Sequence, residues 1–191
     1  MAPPQGACAQ SLAIFDPART YRYRLRRAWA APPAPVLIFL LLNPSTADAT
    51  QDDPTLRRCV SFARRWGFGA LEVVNLFAYR SPDPNALRRV PDPIGADNDR
   101  HILDALRAAD LAVAAWGAGG SYLGRGEVVA ARAERLTPLW HLGLTAGGQP
   151  RHPLYLPATT RPSWWREAGR CSASAPPSPG HTPPQRPFPT S

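Results

Sequence analysis

The sequence predicts an α/β fold, a three-layer α/β/α sandwich with a mainly parallel central sheet. Three observations predict it. Val36-Leu37-Ile38-Phe39-Leu40-Leu41-Leu42 is a run of seven apolar residues, the pattern of a strand buried on both faces. Strand-like and helix-like periodicities alternate from there to about residue 142. The buried runs end in polar or glycine-rich turns, as strands do when helices cross back over a sheet.

The elements follow in chain order. Tyr21-Arg22-Tyr23-Arg24-Leu25-Arg26 alternates with period two and reads as a half-exposed edge strand. Val36–Leu42 is the first buried strand, and Pro44 stops it by removing a donor and holding Asn43 out of helical geometry. Asp53-Pro54 opens a helix, Asp53 as N-cap and Pro54 at its first position. Leu56, Cys59, Val60, Ala63 and Trp66 form its apolar stripe, and Gly67 and Gly69 end it. Leu71–Leu76 is the next strand, followed by a Pro/Asp-rich loop from Ser81 to Asp97. A second helix carries Ile102, Leu103 and Leu106 on one face. Leu111–Ala115 is a third buried strand, leading into the turn Trp116-Gly117-Ala118-Gly119-Gly120. A helix near Glu127–Arg135 and a strand near Pro138–Leu142 complete the pattern. Residues 1–10 read as a loose N-terminus, 11–165 as a single α/β domain and 166–191 as a disordered tail. The last 21 residues hold seven prolines and one large apolar residue, Phe188, too little to bury and so to order.

Composition narrows the function. All 22 basic residues are arginine, which excludes lysine Schiff-base chemistry and a P-loop lysine. Codon bias in a GC-rich genome is the simplest cause of that usage. The net charge of +8 leans toward anionic partners such as nucleic acid or nucleotides. The longest apolar run is far too short to span a membrane. The N-terminal stretch has neither a basic nor an apolar signal region, so the expected compartment is the cytoplasm. Cys8, Cys59 and Cys171 form no zinc or iron–sulfur spacing and read as reduced thiols. No cofactor is expected, and a monomer is favoured.

Candidate site residues collect at strand ends, where open α/β sheets bind ligands. Asn43, Pro44, Ser45, Thr46 and Asp48 follow the first buried strand, although all favour ordinary turns too. Asp48 and Asp52 are close enough in sequence to hold Mg²⁺, yet Asp-rich loops are common without metal. Asn75 is unfavourable inside a strand and its amide can pair with a nucleobase edge. Phe77 and Tyr79 can stack on a base or simply pack in the core. Arg80 suits a phosphate. The amides of Trp116-Gly117 and the glycines after them can cradle an anion, without forming a dinucleotide fingerprint. In Arg151-His152-Pro153, the proline holds His152 extended, where it can donate a hydrogen bond or serve as a plain surface residue. His101 and His141 read as structural.

The ordered set Leu42-Asn43-Pro44-Ser45-Thr46-Ala47-Asp48, Asp52-Asp53-Pro54-Thr55, Trp66-Gly67, Asn75–Arg80, Trp116-Gly117 and Arg151–Leu156 resembles a bacterial family of unknown function, over roughly residues 20–157. More distantly, the motif order is similar to the uracil-DNA glycosylase superfamily. Asn43-Pro44 resembles its first-strand motif, whose acidic or amide side chain positions water. Asn75 resembles its base-reading asparagine, and Arg80-Ser81-Pro82 the proline-rich loop of its iron–sulfur branch. His152-Pro153-Leu154 is similar to its His-Pro-Ser motif, with Leu154 in place of serine. The branch's four clustered cysteines are absent, and position 43 carries no carboxylate. The resemblance implies a uracil-DNA-glycosylase-like fold and hydrolysis of an N-glycosidic bond in nucleic acid or a nucleotide. Asn43 and His152 would be catalytic. Pro44, Ser45, Thr46, Asp48, Asn75, Phe77, Tyr79, Arg80, Trp116, Gly117 and Arg151 would bind substrate, with no metal. Two other functions stay open: a Mg²⁺-dependent nucleotide or phosphoester hydrolase using Asp48, Asp52 and Asp92, and a nucleic-acid-binding module without catalysis.

Overall fold

The computed structural model describes residues 10–166. Apart from Arg166, which ends a strand, and Gln10, which begins one, the expected disordered tail and loose N-terminus lie outside the described residues. A seven-stranded sheet runs through the molecule in the order β1-β2-β4-β3-β5-β6-β7. The strands are β1 (Gln10–Phe15), β2 (Arg22–Ala28), β3 (Val36–Leu41), β4 (Ala70–Asn75), β5 (Leu111–Ala114), β6 (Leu139–His141) and β7 (Ser163–Arg166). The helices are α1 (Pro54–Arg65), α2 (Asn98–Arg107) and α3 (Arg125–Ala133).

The sheet is mixed, which corrects the expected mainly parallel one. β4, β3, β5 and β6 run parallel to one another. β2 joins β4 antiparallel, β1 joins β2 antiparallel, and β7 joins β6 antiparallel. The buried runs had the composition of a parallel sheet because the four central strands are parallel. The flanking strands carry shorter or more polar patterns that do not disclose direction. β2 is also not an edge strand. β1 covers its outer side in the register Gln10↔Ala28 to Ile14↔Arg24. On the faces of β2, Tyr23 stacks on His101 and Leu25 joins the apolar cluster with Leu56 and Phe62, so both are buried.

β3 is central, and its two faces organise two cores. Val36, Ile38 and Leu40 pack with Ile102, Ala105 and Leu106 of α2 and Val129, Ala130 and Ala133 of α3. Leu37, Phe39 and Leu41 pack with Leu56, Cys59, Phe62, Ala63 and Trp66 around α1. The apolar stripe of α1 is thus the one its 3.6-residue spacing forecasts, except that Phe62 is buried and Val60 only half-buried. Asp53 caps α1 as expected, its Oδ1 accepting from Leu56 N at 2.7 Å. Helix α3 begins two residues earlier than its periodicity suggests, because Arg125 is buried. Arg125 donates through Nε to Leu76 O at 2.9 Å and pairs with Asp99.

Trp165, on β7, meets Trp116 edge to face at 5.5 Å between centroids. Glu72 is another polar departure from a plain core. It sits on β4 at 1 % exposure and is held by Arg24 and by Arg26 at 3.5 Å, both on neighbouring β2.

Candidate functional site

The carboxyl ends of β3, β4, β5 and β6 lie together, fixed by the registers Leu41↔Asn75, Leu40↔Ala114 and Ala114↔His141. Asn43 leaves β3 there, Asn75 ends β4, and Gly117 follows β5. His152 arrives at the same end because Gly117 N donates to Pro150 O at 2.8 Å. A Cβ placed on Gly117 would lie 3.5 Å from the His152 Cβ. Gly117 adopts φ +72°, so glycine is favoured here by the backbone, while a Cβ would make only ordinary contact with His152. Asn43, Asn75 and His152 therefore share one end of the sheet.

Asn43 spends both amide hydrogens on carbonyls, Ser81 O at 2.9 Å and Pro44 O at 3.1 Å. Ser81 N in turn donates to Pro44 O at 2.9 Å. This stitches the turn after β3 to the loop after β4. It leaves Asn43 Oδ1, an acceptor, without a hydrogen bond among the described residues.

The ring of His152 is half-buried, and its Nδ1 accepts from Leu154 N at 3.4 Å, capping the short 3₁₀ turn Pro153–Tyr155. An Nδ1 that accepts places the neutral ring's proton on Nε2, which is then a donor. Burial lowers the His152 pKa, while the Asp53 carboxylate opposes that effect. His152 is thus a neutral Nε2–H donor at neutral pH.

Asn75 has a different role from the one its position suggests. It is 1 % exposed, and its Oδ1 accepts from Arg22 Nη2 at 3.5 Å. Its carbonyl is gripped by Asn98 Nδ2 at 3.0 Å. Its Oδ1 faces Arg22 and its Nδ2 is buried with no hydrogen-bond partner, so the amide edge is closed off rather than open to a nucleobase. Arg22, 3 % exposed, is the buried cation under the turn after β3, with Nη1 on Ala47 O at 2.7 Å. Burial first, with the charges of Arg80 and Arg27 adding, pushes its pKa down to about 10, against the pull of Asp53 and Asp48. It remains charged at neutral pH. A cavity of about 40 Å³ beside it is lined by Asn43, Ser45, Asp53 and Thr55.

The remaining expected ligand contacts separate into two groups. Phe77 and Trp116 are core residues: Phe77 packs on Tyr122 at 5.6 Å, and Trp116 Nε1 donates to Gln149 Oε1 at 2.8 Å. Pro44 is buried, and Arg151 is exposed, its stem against Gly143. By contrast, Ser45, Thr46, Tyr79 and Arg80 line one open cleft of about 410 Å³ together with Arg19 and Thr20. A second cleft, of about 460 Å³, lies between α1 and the loop after His152 and includes Arg57, Arg58 and Tyr155. Tyr155 is 90 % exposed.

The aspartates are engaged in the fold. Asp48 Oδ1 accepts from Thr50 N, Thr50 Oγ1 and Gln51 N at 2.8–2.9 Å. The two backbone N–H groups and the hydroxyl hold its pKa at about 2. Asp52 is paired with Arg27 at 2.7 Å, and Asp92 accepts from Ile94 N and Gly95 N. Among the described residues no three His, Cys, Asp or Glu side chains gather as a metal site would need.

Sequence reasoning missed Arg22, Arg19 and Thr20. Alternation gave Arg22 the same outward role as Arg24 and Arg26, and nothing local marks the turn 25 residues away that covers it. Asp53 was legible only as a cap.

The histidines give a pH prediction. Burial is the largest cause lowering the pKa of His101, His141 and His152 from the ordinary 6.5. Below 6.5 the unfolded chain binds protons that the native state refuses, so their stabilising share is complete above 6.5 and falls as pH drops. Asp48, Asp83 and Asp99 have lowered values and stay ionised down to below the ordinary 3.8, so they do not act in that window. The urea midpoint should fall between about pH 7.5 and about pH 5.5. His152→Asn, which keeps an acceptor at the cap, should flatten the fall. Equal midpoints at both pH values would refute the assignment.

Residues 22–154 match the family model described as "Protein of unknown function (DUF1643)". No curated protein and no solved structure matches the chain.

Proposed function

The chain belongs to this family of unknown function, and from the geometry of its site we propose that it hydrolyses an N-glycosidic bond in nucleic acid or a nucleotide, on a three-layer α/β/α fold of the uracil-DNA-glycosylase kind. The observation that carries the proposal is that a free amide acceptor, Asn43 Oδ1, and a neutral donor, His152 Nε2–H, lie at the same end of the sheet.

Breaking the bond between sugar C1′ and the base nitrogen builds positive charge on the sugar, and the bonding electron pair leaves with the base. His152 Nε2–H donates to the base as that charge develops. One such donor is worth about 3 kcal/mol of transition-state stabilisation in comparable sites. Water adds to C1′ from the opposite side and releases its proton to solvent. Asn43 Oδ1 accepts one hydrogen of that water and so aims it. With an amide at position 43, the water is oriented rather than deprotonated. A base within duplex must first leave the stack, at a cost of a few kcal/mol.

A cytoplasmic monomer acting on nucleic acid without a metal fits this chemistry and the arginine excess. The Mg²⁺-dependent alternative has less support, since Asp48, Asp52 and Asp92 are spent on turns and on Arg27. A binding module without catalysis would keep the cleft and lose only the chemistry. The deciding experiment incubates purified protein with DNA and RNA oligonucleotides carrying different bases and reads released base by mass. Release of one base, with alkali-labile strands left behind and no effect of a chelator, supports hydrolysis at C1′. Binding with no release from any base would leave the module.

A further inference from the structure

We propose that the cleft between the β1–β2 turn, the turn after β3 and the loop after β4 is a phosphate site, with Arg19 and Arg80 as its two cations. The proposal rests on a nucleotide or nucleic-acid substrate and adds where its phosphate is held.

The cleft, of about 410 Å³, is lined by Arg19, Thr20, Ser45, Thr46, Tyr79, Arg80, Ser81 and Pro82. None of these residues is acidic, and five carry hydroxyls beside the two guanidinium groups. That combination suits an anion with several acceptor oxygens. Neither Arg19 nor Arg80 forms a salt bridge among the described residues. Asp48 feels the charge of Arg19 only as the smallest of the influences on its carboxylate and forms no ion pair with it.

Three features look built rather than incidental. Arg19 is held at φ +57°, a left-handed conformation that L-residues adopt at a cost and that turns usually leave to glycine. Its guanidinium lies 4.0 Å from the Phe15 ring centroid, and that of Arg80 lies 4.9 Å from the same ring. One aromatic thus gathers two like charges. Arg80 is fixed from its backbone and its side chain, with N on Thr20 O at 3.0 Å and Nη1 on Arg19 O at 3.1 Å. Yet its Nε is buried with no hydrogen-bond partner, a donor left over. Arg22 adds a third positive charge behind the turn.

The site is coupled to the chemistry through one short path. Ser81 follows Arg80 and accepts the Asn43 amide. A phosphate seated on Arg80 would therefore brace the loop that sets Asn43. Arg19 lies before residue 22, where the family match begins, so this cation is supplied by the β1–β2 hairpin.

The test uses the full chain and three variants. Arg19→Gly removes a cation and suits the left-handed turn, so it folds as the parent does. Arg80→Gln removes the other cation. Arg65→Gln, at the far end of α1, removes equal charge elsewhere. A fluorescent single-stranded oligonucleotide is titrated at about 50 and about 200 mM salt. Arg19→Gly and Arg80→Gln should each weaken binding about tenfold and reduce the salt slope by about 0.7, one strand phosphate's worth, while Arg65→Gln changes neither. Competition by inorganic phosphate or a nucleoside monophosphate identifies an isolated phosphate as the ligand. Displacement only by another oligonucleotide identifies a backbone phosphodiester. Unchanged affinity and slope in both cleft variants, or an equal loss in Arg65→Gln, would overturn the proposal. Base release is scored separately. Weakened binding with no base released by the parent retains the phosphate site and rejects the glycosylase, and the reverse result does the opposite.

Discussion

Asn43→Ala and His152→Ala should each lower turnover by about 10²–10³, with substrate binding nearly unchanged. That is the range seen when one transition-state contact is lost. The two act on different partners, the water and the departing base, so losing one leaves the other in place. Their folds should survive, since both side chains are half-buried and neither lies in the two cores. Conservative replacements sharpen the test. Asn43→Asp keeps the acceptor but loses the hydrogens that fix it on Ser81 and Pro44. It adds a charge that can take a proton from the water, so its rate should depend on pH where the parent's does not. His152→Gln keeps a donor without titrating and should recover part of the rate lost in His152→Ala. Wild-type turnover in both alanine variants would remove Asn43 and His152 from the mechanism.

The largest stability contrast should lie at Glu72, far from any ligand. Its side chain is 2 % exposed, while those of Arg24 and Arg26 are 22 % and 32 % exposed. Removing a partner from the buried acid costs more than removing the acid, because the arginines can turn to water and Glu72 cannot. Arg24→Ala should therefore destabilise by about 3 kcal/mol, and Glu72→Leu by about 1 kcal/mol or less. The double variant should resemble Glu72→Leu alone, a coupling that urea denaturation reads directly. Equal losses in the two single variants would mean that the acid is solvated, contrary to its place in the sheet.

What the sequence determined by itself was local. Val36–Leu42 declared a strand covered on both sides, because only such a strand tolerates an unbroken apolar run. Asp53-Pro54 and the 3.6-residue stripe declared α1 and its capped start within a few residues. Pro44, Asn75, Gly117 and Pro153 marked strand ends and turns, so the polar residues collected at one end of the sheet were legible as candidates. Tertiary structure decided what depends on partners distant in sequence. β1 pairs with β2 and β7 with β6, and no short pattern encodes strand order or direction. Arg22 reads like Arg24 and Arg26, yet the turn from β3 buries it on Asn75 and Ala47, whereas Arg24 and Arg26 meet Glu72. Phe77 and Tyr79 look alike in sequence, but Phe77 is enclosed by Tyr122 and Tyr79 faces the cleft. Period and capping are properties of neighbours along the chain. Burial, ion pairing and the bare acceptor of Asn43 arise only when segments tens of residues apart close over one another.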